Sequence, residues 1–368
     1  MSEQFDYNVL DLPSAFGGAD IHFTIKSQAA DFVVTETLGF TPAGAGDHLY
    51  LYIEKTGLNT LYLRELLAQV FKVAPISIGY CGLKDKNAIT RQWFSVKTPA
   101  CDAEANLAEL LKDRSDNASI KILQNSRGTK KLKIGAHSGN HFTIVLRDLR
   151  QASGDTIHEE QRSIVTSLLQ TIETKGAPNY YGPQRFGRNT NNLAMALRLF
   201  EKEIAPSKQK RSLYISAARS YLFNAHLADR IANRSWNAYT QGDIICLCGS
   251  KSYFRIVHSQ QSEIDKVNRR IQEKEVAIGA ELFTAGHIEN QKYAAAQTFA
   301  SGLKELNLNR QVRALGVYPK EFKYHWHDSS ERNAVDSVSL KLDFSLEKGA
   351  YATAILKELG HFTDQASS

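Results

Sequence analysis

Asp85 stands between Lys84 and Lys86 in the run CGLKDKNAITRQWFSV at residues 81–96. Two flanking ammonium groups favour the charged form of a carboxylate. Such a group can serve as a nucleophile or a general base without further activation. Local sequence alone favours reading the same three residues as an ordinary solvated turn, since an Asp between two Lys is common at protein surfaces. Asn140 and Phe142 lie two apart in HSGNHFTIVLR at 137–147. In an extended chain they share one face. Taken alone, Phe142 reads as a core residue of an amphipathic strand. Arg185 and Arg188 interleave with Tyr180, Tyr181 and Phe186. Lys121, Arg127, Lys130, Lys131 and Lys133 fall in an acid-free stretch, and Lys208, Lys210 and Arg211 make a second cluster. Cations beside aromatics suit phosphate contact and base stacking. Each cluster taken alone also reads as a solvated face.

Other motifs fail on inspection. The GAG at 44–46 is followed by a strand pattern, so a phosphate would find no helix N-terminus there. Neither a Walker loop nor a G-x-S-x-G elbow occurs. HEEQR at 158–162 carries Arg162 where a zincin needs its second His. HWHD at 325–328 puts two His on one face of a strand, with no further ligand nearby in sequence. The four cysteines, Cys81, Cys101, Cys246 and Cys248, form no C-x-x-C pair and no zinc set. They read as reduced thiols, most of them buried.

The elements that must carry these residues are mixed. Residues 48–54 alternate, with Leu49, Leu51 and Ile53 on one face, which predicts a strand. Leu63, Leu66, Leu67, Val70 and Phe71 form a helical stripe from about residue 59, capped by Asn59 or Thr60. ISIGYCG predicts a short buried strand entering the polar turn LKDKN, and RQWFSV is strand-like. Residues 142–147 alternate as a second strand. Ile164, Val165, Leu168, Leu169 and Ile172 form another helix stripe, stopped by Gly176. The chain changes character near Ala177 and Pro178, and NYYGPQRFGRNTNN has no period. A helix is predicted over about 214–233, a strand over 338–344, and a short helix over about 350–359. No steady βαβ rhythm runs through the chain, so the fold class is α+β.

At 368 residues, with 42 % apolar and 23 % charged, the chain fits about two domains with a sizeable core. A net charge of +6 allows an anionic partner without demanding one. No apolar run approaches the roughly 18 residues of a membrane span, and the acidic start MSEQFDYNVLDLP lacks the features of a signal or transit peptide. The expected location is the cytoplasm.

GLKDKNAIT resembles the GxKDxxAxT signature of the tRNA pseudouridine synthase D (TruD) family. Five further blocks resemble that family's motifs in order: IKSQAADFVVTE at 25–36, SGNHFTIVLR at 138–147, PNYYGPQRFG at 178–187, SAARSYLFN at 216–224 and GAYATAILKEL at 349–359. Together they cover nearly the whole chain.

The resemblance implies isomerisation of a uridine in tRNA, at position 13, to pseudouridine. The base must be flipped out of the fold for this. Nothing is oxidised or hydrolysed, so neither cofactor nor metal is implied. Asp85 matches the catalytic Asp; the sequence leaves open whether it attacks covalently or removes a sugar proton. Phe142 matches the ring that stacks on the uracil, and Asn140 suits the uracil edge. Phe32 and Tyr351 match further substrate-side aromatics, with Tyr351 standing where a Phe is expected. Lys26 is placed to pair with Asp85 or reach a phosphate, and Glu36 to orient Lys26. Lys84, Lys130, Lys131, Arg185 and Arg219 are expected on the RNA side, although Arg219 also reads as structural. The implied architecture is a pseudouridine-synthase catalytic domain with a central, largely antiparallel sheet, at 1–177 and 318–368. An α/β domain is inserted at 178–317. The partner is tRNA, with no membrane and no obligate protein partner, and the chain is expected to be a monomer. The alternative reading is a non-catalytic RNA-binding protein or RNA chaperone. A carboxylate hydrolase lacks a second acid placed by any motif near Asp85.

Overall fold

The computed structural model describes residues 11–97, 118–256, 260–282, 295–306, 308–328 and 338–365. Cys101 and the first ten residues lie outside them. Within them, the early strands are β1 Ile21–Ile25, β2 Phe32–Leu38, β3 His48–Thr56, β4 Gly79–Tyr80, β5 Ile89–Lys97, β6 Ser119–Gly128 and β7 His137–Gln151. The middle strands are β8 Ala177–Pro178, β9 Ile244–Leu247, β10 Tyr253–Phe254, β11 Val276–Glu281, β12 Val312–Ala314 and β13 Gly316–Val317. The last are β14 Lys320–Asp328, β15 Val338–Glu347 and β16 His361–Asp364. The helices are α1 Thr60–Val70, α2 Glu159–Lys175, α3 Asn191–Phe200, α4 Lys208–Ala232, α5 Gln261–Gln272, α6 Ala295–Lys304 and α7 Ala352–Leu359.

The chain divides into two compact units. One comprises Asp20–Ser163, Pro319–Gly349 and Gly360–Ser368. It holds a ten-stranded sheet in the order β14-β15-β7-β2-β5-β3-β6, with β1, β16 and β4 attached off that path. All its pairings are antiparallel except β2 with β5 and β1 with β16. Alternation explains the sheet's buried side: Phe142, Ile144 and Leu146 of β7 sit beside Leu340, Leu342 and Phe344 of β15, all nearly free of solvent. Helix α1 lays Leu63, Leu66 and Leu67 on Leu49, Leu51 and Ile53 of β3 and Phe94 of β5. The Asn59 side chain caps it, accepting the Tyr62 N–H at 2.8 Å.

The other unit comprises Met1–Ala19, Ile164–Tyr318 and Ala350–Leu359. Its core is the long helix α4, packed with α3 and α6 over Phe223, Leu227 and Phe299. A four-stranded sheet, β10-β9-β11-β12, and the short pair β13-β8 complete it. Residues 164–177 and 350–359 thus belong with the unit that contains 178–317.

Four features differ from the sequence reading. Helix α4 starts at Lys208, where Ser207 accepts the Lys210 N–H, because its first turn is solvent-exposed and carries no apolar stripe. Ile164 is 45 % exposed, so the buried stripe of α2 begins at Val165. Cys81 is buried, but Cys246 and Cys248 are only half-buried. The aperiodic 179–192 segment folds into two 3-10 turns before α3.

Candidate active site

The turn bearing Asp85 joins β4 to β5 and has no regular backbone pairing of its own. Its main-chain groups are instead taken up by buried polar side chains, as an irregular buried segment requires. Thr60 Oγ1 accepts the Lys84 N–H at 2.8 Å and donates to Gln92 Oε1 at 2.9 Å. Gln92 Nε2 donates to the Gly82 carbonyl at 3.1 Å. The Gly57 N–H meets the Lys86 carbonyl at 3.1 Å. Lys55, wholly buried on the same face as Leu49, Leu51 and Ile53, donates to the Asp85 carbonyl at 2.9 Å and the Leu58 carbonyl at 2.6 Å. The turn is rigid from below, and Asp85 keeps a side chain 35 % exposed above it.

The Asp85 carboxylate meets Lys26, as one of the sequence alternatives held. The distance is 3.3 Å, and the same ammonium lies 2.9 Å from Asp364 of β16. Lys26 is 4 % exposed at its side chain and sits 4.8 Å over the Phe32 ring. Its φ of +57° is left-handed, a conformation costing a non-glycine residue about 1–2 kcal/mol. The surroundings hold it there. Parallel pairing of β1 with β16 fixes Asp364 beside Ile25. Just beyond, Asp31 is clamped by Arg147 at 2.7 and 2.8 Å and accepts the Gln28 N–H at 3.1 Å.

Glu36 does not orient Lys26. Its carboxylate is fully buried and takes the Lys84 ammonium at 2.6 Å and the Trp93 N–H at 3.1 Å. Register explains this, since β2 runs parallel to β5 and brings Glu36 over the start of the turn. Lys84, expected on the RNA side, has a side chain only 6 % exposed and is held inward by this pair. Burial and the nearby Lys84 charge push the His137 pKa down, and burial pushes the Cys81 thiol up to about 12. Opposite Glu36 on β7 is Asn140, with Phe142 on the same face. Phe142 is buried, stacked on Phe344 at 5.6 Å and edge-on to Phe32 at 6.4 Å. Asn140 Oδ1 is buried without a hydrogen-bond partner. This one unit therefore gathers Lys26, Phe32, Glu36, Lys84, Asp85, Asn140 and Phe142.

The other unit gathers a second set. Arg185 donates to the Tyr351 hydroxyl at 2.9 Å and Ser216 at 3.2 Å, and lies over the Tyr181 ring at 5.2 Å. Arg313, missed in the sequence, stacks on Tyr181 at 4.0 Å and donates to Asn179. Burial lowers its pKa. Arg219 is a correction: it is 9 % exposed, and its guanidinium donates to the carbonyls of Leu282 and Asn309, a structural place with little left to offer a phosphate. Lys208, Lys210 and Arg211 are exposed in the first turn of α4, where the helix dipole disfavours cations. In the sheet unit, Lys130 and Lys131 are exposed between β6 and β7.

One constellation imitates a hydrolytic triad. His141 meets Ser345 at 3.0 Å through Nδ1 and Asp343 at 2.6 Å through Nε2. It lies along β7 and β15, whose N–H groups serve the strand ladder, so the arrangement offers no oxyanion donors. His325 and His327 are exposed on β14, and the described residues contain no cluster able to hold a metal ion. None of their helices is long and apolar enough to cross a membrane.

Comparison with known proteins follows the same lines. The family model described as tRNA pseudouridine synthase D (TruD) matches residues 15–206 and 202–359. A tRNA pseudouridine synthase D of Methylococcus capsulatus is 36 % identical over 369 residues, covering 96 % of each chain. That of Aeromonas salmonicida is 36 % identical over 368 residues, covering 98 % of this chain and 94 % of its own. A crystal structure from Methanosarcina mazei, described as tRNA pseudouridine synthase D, has the same fold: TM-score 0.64 and 19 % identity over 97 % of both chains. With near-complete coverage at this identity, the chain belongs to the tRNA pseudouridine synthase D family.

Proposed function

We propose that this protein isomerises a uridine of tRNA, at position 13, to pseudouridine, with Asp85 as the catalytic carboxylate. The reaction breaks the N1–C1′ bond, turns the uracil within the site and joins C5 to C1′. The C5 proton leaves and N1 gains one, so composition is conserved and the balance needs no cofactor. The observation that carries the assignment is Asp85 itself, a part-exposed carboxylate on an immobilised turn, with a buried lysine 3.3 Å away. That ion pair sets a cation beside the one group of the turn able to act as nucleophile or base.

The neighbours suit a flipped uracil. The orphaned Asn140 Oδ1 is an acceptor of the kind an imide N–H needs. Phe32 and Phe142 supply rings, each base stack being worth ~1–3 kcal/mol. Lys130, Lys131, Arg185 and the basic first turn of α4 contact RNA phosphates, and Tyr351 holds Arg185 in place. The sheet-bearing unit is the catalytic part, residues 178–317 form the inserted part, and the enzyme works in the cytoplasm as a monomer.

The test uses purified protein and tRNA carrying 5-tritiated uridine. Isomerisation releases tritium to water, and a pseudouridine-specific chemical probe locates the site. Asp85→Asn is expected to abolish release while leaving tRNA affinity unchanged. Release unaffected by Asp85→Asn would support a binding protein with contaminating activity, and free uracil as product would support a hydrolase. Either outcome refutes the assignment.

A further inference from the structure

We propose that Lys55 is the positioning residue for Asp85: its buried ammonium holds the Asp85 main chain in place, and turnover requires Lys55 in its protonated form. This rests on the functional reading above.

Lys55 is among the largest wholly buried side chains of the described residues, and it is charged. Among the described residues it forms no ion pair, and its donors go to two main-chain carbonyls, those of Asp85 and Leu58. A buried charge without an adjoining counter-ion is costly, and proteins keep one where it does something a neutral residue cannot. Here the ammonium ties the catalytic turn to the end of β3 through charge-assisted bonds, about twice as strong as neutral ones. The charges facing it are Asp85, which favours its proton, and Lys84, which opposes it. Burial dominates both and brings its pKa down to about 8. Loss of the Lys55 proton weakens the grip on the Asp85 carbonyl and removes a nearby cation from the carboxylate.

The experiment measures kcat and KM for tRNA between pH 6 and 9, by tritium release, for wild type, Lys55→Arg and Lys55→Met. Wild-type kcat should fall about tenfold from pH 7 to pH 9, with KM little changed, as one proton is lost near pH 8. Lys55→Met should show a low kcat with no alkaline fall. Lys55→Arg should retain activity at pH 7 and lose the alkaline fall, because a guanidinium keeps its charge. A wild-type kcat flat to pH 9, or an alkaline fall unmoved in Lys55→Arg, overturns the proposal. The wild-type profile decides even if both variants fail to fold. Wild type forming no pseudouridine at any pH refutes the functional reading instead.

Discussion

The buried pair between Glu36 and Lys84 offers the sharpest energetic test, because its two members sit 2.6 Å apart with almost no solvent. At an effective dielectric near 20 the attraction is about 6 kcal/mol. Most of that offsets the desolvation of the two ions, so the pair as a whole adds little to stability. Breaking it is another matter. Lys84→Met leaves a wholly buried carboxylate supported by neutral donors alone, the Trp93 N–H and the Cys81 thiol, and should cost about 3–5 kcal/mol. Glu36→Gln keeps a hydrogen bond to Lys84 but strands the ammonium, and should cost about 3 kcal/mol. The double variant removes both charges and should recover about 2–3 kcal/mol relative to the sum of the singles. Urea unfolding read by Trp93 fluorescence, in a background with Trp236→Phe and Trp326→Phe, reports this sheet directly. Additive losses, or single losses under ~1 kcal/mol, would refute the reasoning. Folded Glu36→Gln should also lose kcat, because Lys84 immediately precedes Asp85.

Two further outcomes follow from groups already described. Lys55 has a folded pKa of about 8 against 10.5 unfolded, so between those values the unfolded chain holds more protons and stability rises with pH. Below about pH 8 the full cost of the buried charge, about 3 kcal/mol, is present; above 10.5 it is gone. The stability gap between Lys55→Met and wild type should therefore shift toward wild type by about that amount across the window, as urea unfolding at several pH values would show; a constant gap contradicts it. Arg185→Ala should raise KM for tRNA several-fold and reduce the salt slope of binding by about one, while Tyr351→Phe, which frees one guanidinium bond, should do so more weakly; filter binding over a salt series tests both.

Much of the sheet unit was legible because its signals are local. Strand β3, the Asn59 cap of α1 and the polar turn at Asp85 each declare themselves within a dozen residues. Lys55 continues the Leu49, Leu51, Ile53 face one step beyond the residue 54 at which the alternation is predicted to end, and its burial shows only in the structure. What local sequence could not supply is register. Glu36 faces Lys84 instead of Lys26 because β2 pairs in parallel with β5, a choice made across 48 residues. Asp364 carries no signal at all, since only the β1–β16 pairing brings it to Lys26. Arg219 looked available because a helical stripe does not reveal that loop carbonyls will meet its guanidinium.

That last strand pair also sets a timetable for synthesis. Lys26 and Asp364 are 338 residues apart. At the ~5–20 residues per second of translation, Lys26 waits roughly 20 to 70 s for its second carboxylate to be made. Once residue 92 has been made, the nascent chain contains Asp85 and the side chains that hold its turn but still lacks β16, which supports the lysine beside it. The Lys26 pairs with Asp85 and Asp364 are therefore complete only when the closing strand of the sheet has been made.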